Sequence, residues 1–121
     1  MYRNLNNTEK EWLEKLLNVD IKDRDILMRQ ISDAHISHEK EYSFISLKFE
    51  RIDSLEKYPY SVRVPVEMRA YQDRGAPVVF LIHIIDGIIN ELEVFTADSS
   101  EIKEEAISLE AVEYEINDEV L

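Results

Sequence analysis

Residues 78–95 read VVFLIHIIDGIINELEVF, the most apolar stretch of the chain, with a single histidine, His83, inside it. Asp86-Gly87 divides the stretch in two. A two-residue type I′ turn needs positive φ at both positions, and Asp-Gly tolerates that conformation well. The stretch therefore predicts a β-hairpin with Ile85 facing Ile88. Side chains alternate along a strand, so the turn fixes every other pair. Counting outward places His83 opposite Asn90, Leu81 opposite Leu92 and Val79 opposite Val94, all on one face. The other face receives Ile84 with Ile89, Ile82 with Glu91 and Phe80 with Glu93. The two glutamates make the Leu81 face the expected core face. Val78–Ile85 is apolar on both sides and is expected in the interior of a sheet.

The pattern upstream changes period. In TEKEWLEKLL, Trp12, Leu13, Leu16 and Leu17 share one helical face. Thr8 is the expected N-cap, with Glu11 closing a capping box. KDRDILMRQISDA predicts a second helix, started by Asp20 or Asp23, with Ile26, Leu27, Ile31 and Ala34 on its apolar side. From about residue 41 the period becomes two. YSFISLKFE places Ile45, Leu47 and Phe49 on one face. YSVRVPVEMRA does the same with Val62, Val64, Val66 and Met68, leaving Arg63 and Arg69 on the other. Pro65 lacks an N–H, so that strand is expected at an edge or bulged. YQDRGAP predicts a turn. ISLEAVEYEI changes phase between Leu109 and Val112: either one strand bulged near Ala111 or a short helix.

The fold class expected is α+β in a single domain spanning 1–121: two N-terminal helices packed on one face of a four- or five-stranded, mainly antiparallel meander sheet. The motifs Arg3-x-Leu5, Thr8-Glu9, RDILMRQI and the hairpin followed by ADSS resemble a family of small bacterial α+β proteins with an Asp-Gly hairpin. The resemblance covers most of residues 3–100. It implies a fold and carries no activity. Small acidic α+β proteins of this build also look like the immunity proteins of bacterial toxin systems.

Charge narrows the function classes. The chain carries a formal net charge of −12. Residues 101–121 hold one lysine against eight acidic side chains, more than half of that excess. Such a field repels phosphate backbones and anionic membranes and attracts basic proteins. No nucleic acid and no membrane are expected as partners. A basic protein is. The chain would be a monomer or a homodimer. Its longest apolar run is too short to span a bilayer. MYRNLNNTEKEW shows no signal-peptide core, so the expected location is cytoplasmic.

Catalytic signatures are thin. There is no cysteine, no HExxH, no Gly-x-Ser-x-Gly and no glycine-rich phosphate loop. His35 and His38 lie three apart at a helix-to-strand transition and read as solvated side chains. Glu91 and Glu93 share a strand face and read as a solvated pair. No metal, cofactor or catalytic residue is expected, and the balance leans away from an enzyme. Two candidate sites stand out. His83 and Asn90 are either a satisfied cross-strand pair or the lining of a small pocket. Arg63 and Arg69 with Tyr60 and Tyr71 have the composition of a protein interface. The leading expectation is a non-catalytic interaction module of immunity or antitoxin type. The rival is a ligand-binding protein or enzyme with a pocket near His83.

Overall fold

The computed structural model describes residues 1–73 and 75–121; Arg74, inside the expected turn, lies outside the described residues. The chain runs β1 (Arg3–Asn4), α1 (Asn7–Leu16), α2 (Arg24–Ser32), β2 (His35–Glu41), β3 (Phe44–Phe49), β4 (Val66–Gln72), β5 (Val78–Ile85), β6 (Ile88–Thr96) and β7 (Ile107–Ile116). The class is α+β. The strands form one antiparallel sheet in the order β1-β2-β3-β6-β5-β4-β7.

Among the described residues seven strands replace the expected four or five, and the order is no simple meander. Two strands were hidden in the sequence. β1 is two residues long, and β2 reads HISHEKE, with only Ile36 apolar. Two long connections break the meander. Residues 50–65 pass from β3 over the end of the β5–β6 hairpin to β4. Residues 97–106 run from β6 to β7 at the far edge.

α1 starts earlier than Thr8 would place it. Asn6 is the N-cap, and its side chain accepts from the Glu9 amide at 2.8 Å while the Glu9 carboxylate accepts from the Asn6 amide at 2.9 Å. Arg3 from β1 grips the same carboxylate at 2.7 and 2.8 Å. That second partner favours Asn6–Glu9 over Thr8–Glu11 as the box. α2 starts after Asp23, which takes φ 53°.

The Asp-Gly turn forms as its sequence dictates. Asp86 has φ 49°, Gly87 has φ 77°, and Ile85 faces Ile88. Two residues on, the register departs from the expected one. Ile84 faces Ile89, but His83 faces Glu91, Ile82 faces Leu92 and Phe80 faces Val94. Asn90 is the extra residue of a β-bulge. The physical reason is apolar matching. Ile89 and Leu92 have opposite parity in β6, and one inserted residue brings both to the face that carries Phe80, Ile82 and Ile84. The core face is therefore the Phe80 face, not the Leu81 face.

That face joins Trp12, Leu13, Leu16 and Leu27 in one hydrophobic cluster. Trp12 meets Phe80 edge-on, with ring centroids 5.5 Å apart. Tyr114 of β7 donates to the Lys15 carbonyl at the end of α1.

β4 also corrects its expectation. It lies between β5 and β7, not at an edge, because it begins at Val66, after Pro65. The missing N–H thus costs the ladder nothing, and the Pro65 carbonyl accepts from Asn117 at 2.9 Å. Residues 62–65 form a loop alongside β5, where the Arg63 carbonyl takes the Ile84 amide at 2.7 Å. β7 is one strand whose alternation breaks at Glu110–Ala111, opposite a register shift between Arg69 and Tyr71. The bulged-strand reading of ISLEAVEYEI is the one that forms.

Two buried glutamines tie the long connections to the sheet. Gln30 donates to the carbonyls of Glu56 and Gly87, each at 2.9 Å, and accepts the Ile89 amide at 2.8 Å. Gln72 donates to the Glu101 carbonyl at 2.5 Å and accepts the Lys103 amide at 2.8 Å. Each primary amide satisfies backbone that crosses the ends of strands and has no ladder partner.

Candidate functional site

The bulge at Asn90 decides where the polar groups of the hairpin go. His83 is carried to the face opposite the Phe80 core, together with Glu91, Glu93 and Ser46. Asn90 is not its partner. Instead His83 Nε2 lies 2.9 Å from Glu93 Oε1, and Arg63 Nε donates to His83 Nδ1 at 3.2 Å. Arginine can only donate, so Nδ1 must be the acceptor. The imidazole is then the Nε2–H tautomer and donates to Glu93. Its side chain keeps 14% of its exposure. The neighbouring Glu91 accepts from Ser46 Oγ at 2.6 Å. The two glutamates of the strand are therefore each engaged by a different neighbour.

A cavity of about 380 Å³ lies beside this cluster, bounded by Tyr58, Tyr60, Arg63, Ile84 and Gly87. His83 and Asn90 are not among the residues that line it. Tyr58 is almost wholly buried and donates to the Lys22 carbonyl at 2.7 Å. Burial, followed by the charges of Tyr60 and Asp23, pushes its hydroxyl up to about 12. Tyr60 stacks edge-on with Tyr58 at 5.1 Å and donates to Asp23 at 2.6 Å.

The four residues of the expected interface divide between two places. Tyr60 lines the cavity wall. Arg69 and Tyr71 lie on β4, on the open face of the sheet, where Tyr71 donates to Glu113 at 2.9 Å. Hydrogen bonding to that carboxylate raises the Tyr71 hydroxyl's pKa. Arg69 sits 3.7 Å from both Glu67 and Glu115. Arg63 stands between the two places, on His83. Each of the three arginine and tyrosine side chains on the open face reaches a carboxylate or an imidazole of this chain, so they form intramolecular pairs in place of one basic patch.

Two of those carboxylates, Glu113 and Glu115, belong to β7, a strand with no basic residue of its own. β7 ends the sheet, pairing with β4 on one edge and, among the described residues, with no strand on the other. Ser108, Glu110, Glu113 and Glu115 point outward and are exposed. Ile107, Leu109, Val112, Tyr114 and Ile116 point toward the core and are half-buried, whereas Val66, Met68 and Ala70 on the adjacent β4 are fully buried. The charge of this segment can be read from its residues alone. That it forms a terminal strand depends on the crossover from β6, which no local pattern announces.

His35 and His38 occupy β2 at odd separation and so point to opposite faces. His35 lies 3.5 Å from Glu50. Among the described residues, no group of three or more His, Cys, Asp and Glu side chains is placed to hold a metal ion. No described helix is long and apolar enough to cross a membrane. Comparison of the chain with protein-family models, with curated proteins and with solved structures finds no match.

Proposed function

We propose that this chain is a non-catalytic interaction module that binds a basic protein through its acidic C-terminal region. Neutralisation of a basic toxin is one concrete form of that role. The observation that supports it is the exposure of Glu110, Glu113 and Glu115 along the terminal strand, within a segment of eight acidic residues and one lysine. Charges of one sign on one edge steer an oppositely charged partner and speed its encounter. Arg63 and Arg69, by contrast, are paired within the chain and offer little to an anionic partner.

The test is capture of a partner from the source cells, then titration with the purified protein at two ionic strengths. The expected partner is basic, and its affinity falls as salt rises. The triple change Glu110→Gln, Glu113→Gln, Glu115→Gln weakens binding and leaves the thermal unfolding transition in place. No partner at low salt, or one indifferent to both salt and the triple change, removes the reading.

A further inference from the structure

Resting on that reading, we infer that the free edge of β7 receives an extended segment of the basic partner as an eighth strand of the sheet, a segment whose basic and apolar residues alternate in register with residues 112–116, beyond the phase break. Three features of β7 lead there. The strand is ten residues long, and it ends the sheet, so half of its backbone N–H and C=O groups face away from β4. Its core-side row is covered only halfway, while the same row on β4 is covered fully. The cover stops where a further strand would continue it. Beside that row lies a groove of about 460 Å³, lined by Met28 and Leu109 together with Glu11, Glu14, Lys15 and Arg24.

The two rows specify different residues in the guest. Facing the core, Leu109, Val112, Tyr114 and Ile116 call for apolar side chains. Facing outward, Glu110, Glu113 and Glu115 call for Lys or Arg, since opposite charges across a strand pair stabilise it and like charges destabilise it. The same rule argues against a second copy as occupant, because β7 against β7 would set glutamates across from glutamates. Strand addition of this kind takes affinity from main-chain hydrogen bonds and specificity from alternate side-chain positions.

The probe is a ten-residue peptide of alternating Lys and Val, blocked at both ends, added to the full chain. Two further versions carry N-methyl groups on alternate amides, one in each phase, with the charge unchanged. A fourth has Glu in place of Lys. Expected are slowed hydrogen exchange of amides in 107–116 and a loss of about tenfold or more in affinity for one N-methylated phase. The Glu peptide should not bind. Equal binding of the parent and both N-methylated peptides means charge attraction without strand pairing. That overturns this inference and leaves the basic-partner reading intact. Slowed exchange confined to other strands overturns it as well. A dimeric mass by light scattering, with 107–116 protected in the chain alone, assigns the edge to a second copy and also overturns it.

Discussion

The Gln30 side chain donates to the Gly87 carbonyl at 2.9 Å, joining α2 to a turn fifty-seven residues away. Its other donor bond holds the Glu56 carbonyl, and its oxygen takes the buried Ile89 amide. Gln30→Leu keeps the volume and orphans the Glu56 carbonyl and the Ile89 amide, while the Gly87 carbonyl keeps the Tyr58 amide at 2.8 Å. The expected loss is about 1–3 kcal/mol of unfolding free energy, the cost of the buried Ile89 amide left unsatisfied, since the Glu56 carbonyl can in part be re-solvated. Urea unfolding monitored by Trp12 fluorescence measures it. A loss below about 0.5 kcal/mol would show that the clamp is dispensable.

Gly87 and Gly75 both adopt positive φ, +77° and +104°, but only Gly87 is crowded. A Cβ on Gly87 would stand 2.7 Å from Lys57 Cβ and 3.0 Å from the Tyr58 carbonyl, whereas on Gly75 it would meet nothing within 4 Å. Both alanine variants bear the backbone strain, of order 1–3 kcal/mol. Gly87→Ala must also push the 50–65 connection off the turn. It is expected to destabilise more than Gly75→Ala, by a margin of about 1 kcal/mol or more. Parallel thermal melts of the two variants decide it, and equal costs would contradict the packing.

Arg3 and Glu9 give the chain an acid-sensitive joint between β1 and α1. Burial by itself would raise the Glu9 carboxyl, but the Arg3 hydrogen bonds, the Asn6 amide and the Arg3 charge outweigh it, and the net shift is downward. A carboxyl depressed on folding stabilises the protein above the ordinary glutamate range, near pH 4.3, and loses that contribution as pH falls through its folded-state value. Arg3→Ala removes the main cause of the depression. Its destabilisation of about 1–3 kcal/mol at pH 7 should shrink progressively as pH falls below the ordinary glutamate range. A pH-independent loss would point to packing of the Arg3 stem.

The His83 tautomer is checkable by itself. Long-range ¹H–¹⁵N correlation at pH 8 is expected to show a protonated Nε2 and a bare Nδ1. Arg63→Leu removes the donor to Nδ1 and should introduce a population of the other tautomer. A wild-type imidazole protonated on Nδ1 would contradict the Arg63 hydrogen bond.

Much of the fold follows from local pattern. Trp12, Leu13, Leu16 and Leu17 are buried as their 3.6-residue spacing requires, and Asp86-Gly87 makes the turn that its two positive φ values demand. β2 carries no strand signal of its own, because HISHEKE has a single buried apolar residue, Ile36. Its strand character comes from pairing with Phe44–Phe49, not from its own alternation. The candidate site was legible in charge and illegible in place. Residues 101–121 announce their acidity, but the partner of β7 in the sheet is β4, some forty residues earlier.

His83 marks the boundary between the two kinds of information. Its sequence neighbours determine that it sits in a strand, three residues before a tight turn, and that alternate residues flank it on opposite faces. They do not determine which face is the core. That choice fell to the bulge at Asn90, which aligns Ile89 with Leu92 under the helices, and to Gln30, whose amide takes the Ile89 N–H beside the bulge. Local sequence sets backbone conformation through steric preference. The face that is buried depends on which register hides the most apolar surface while leaving no buried amide unpaired, and that balance exists only once distant segments have met.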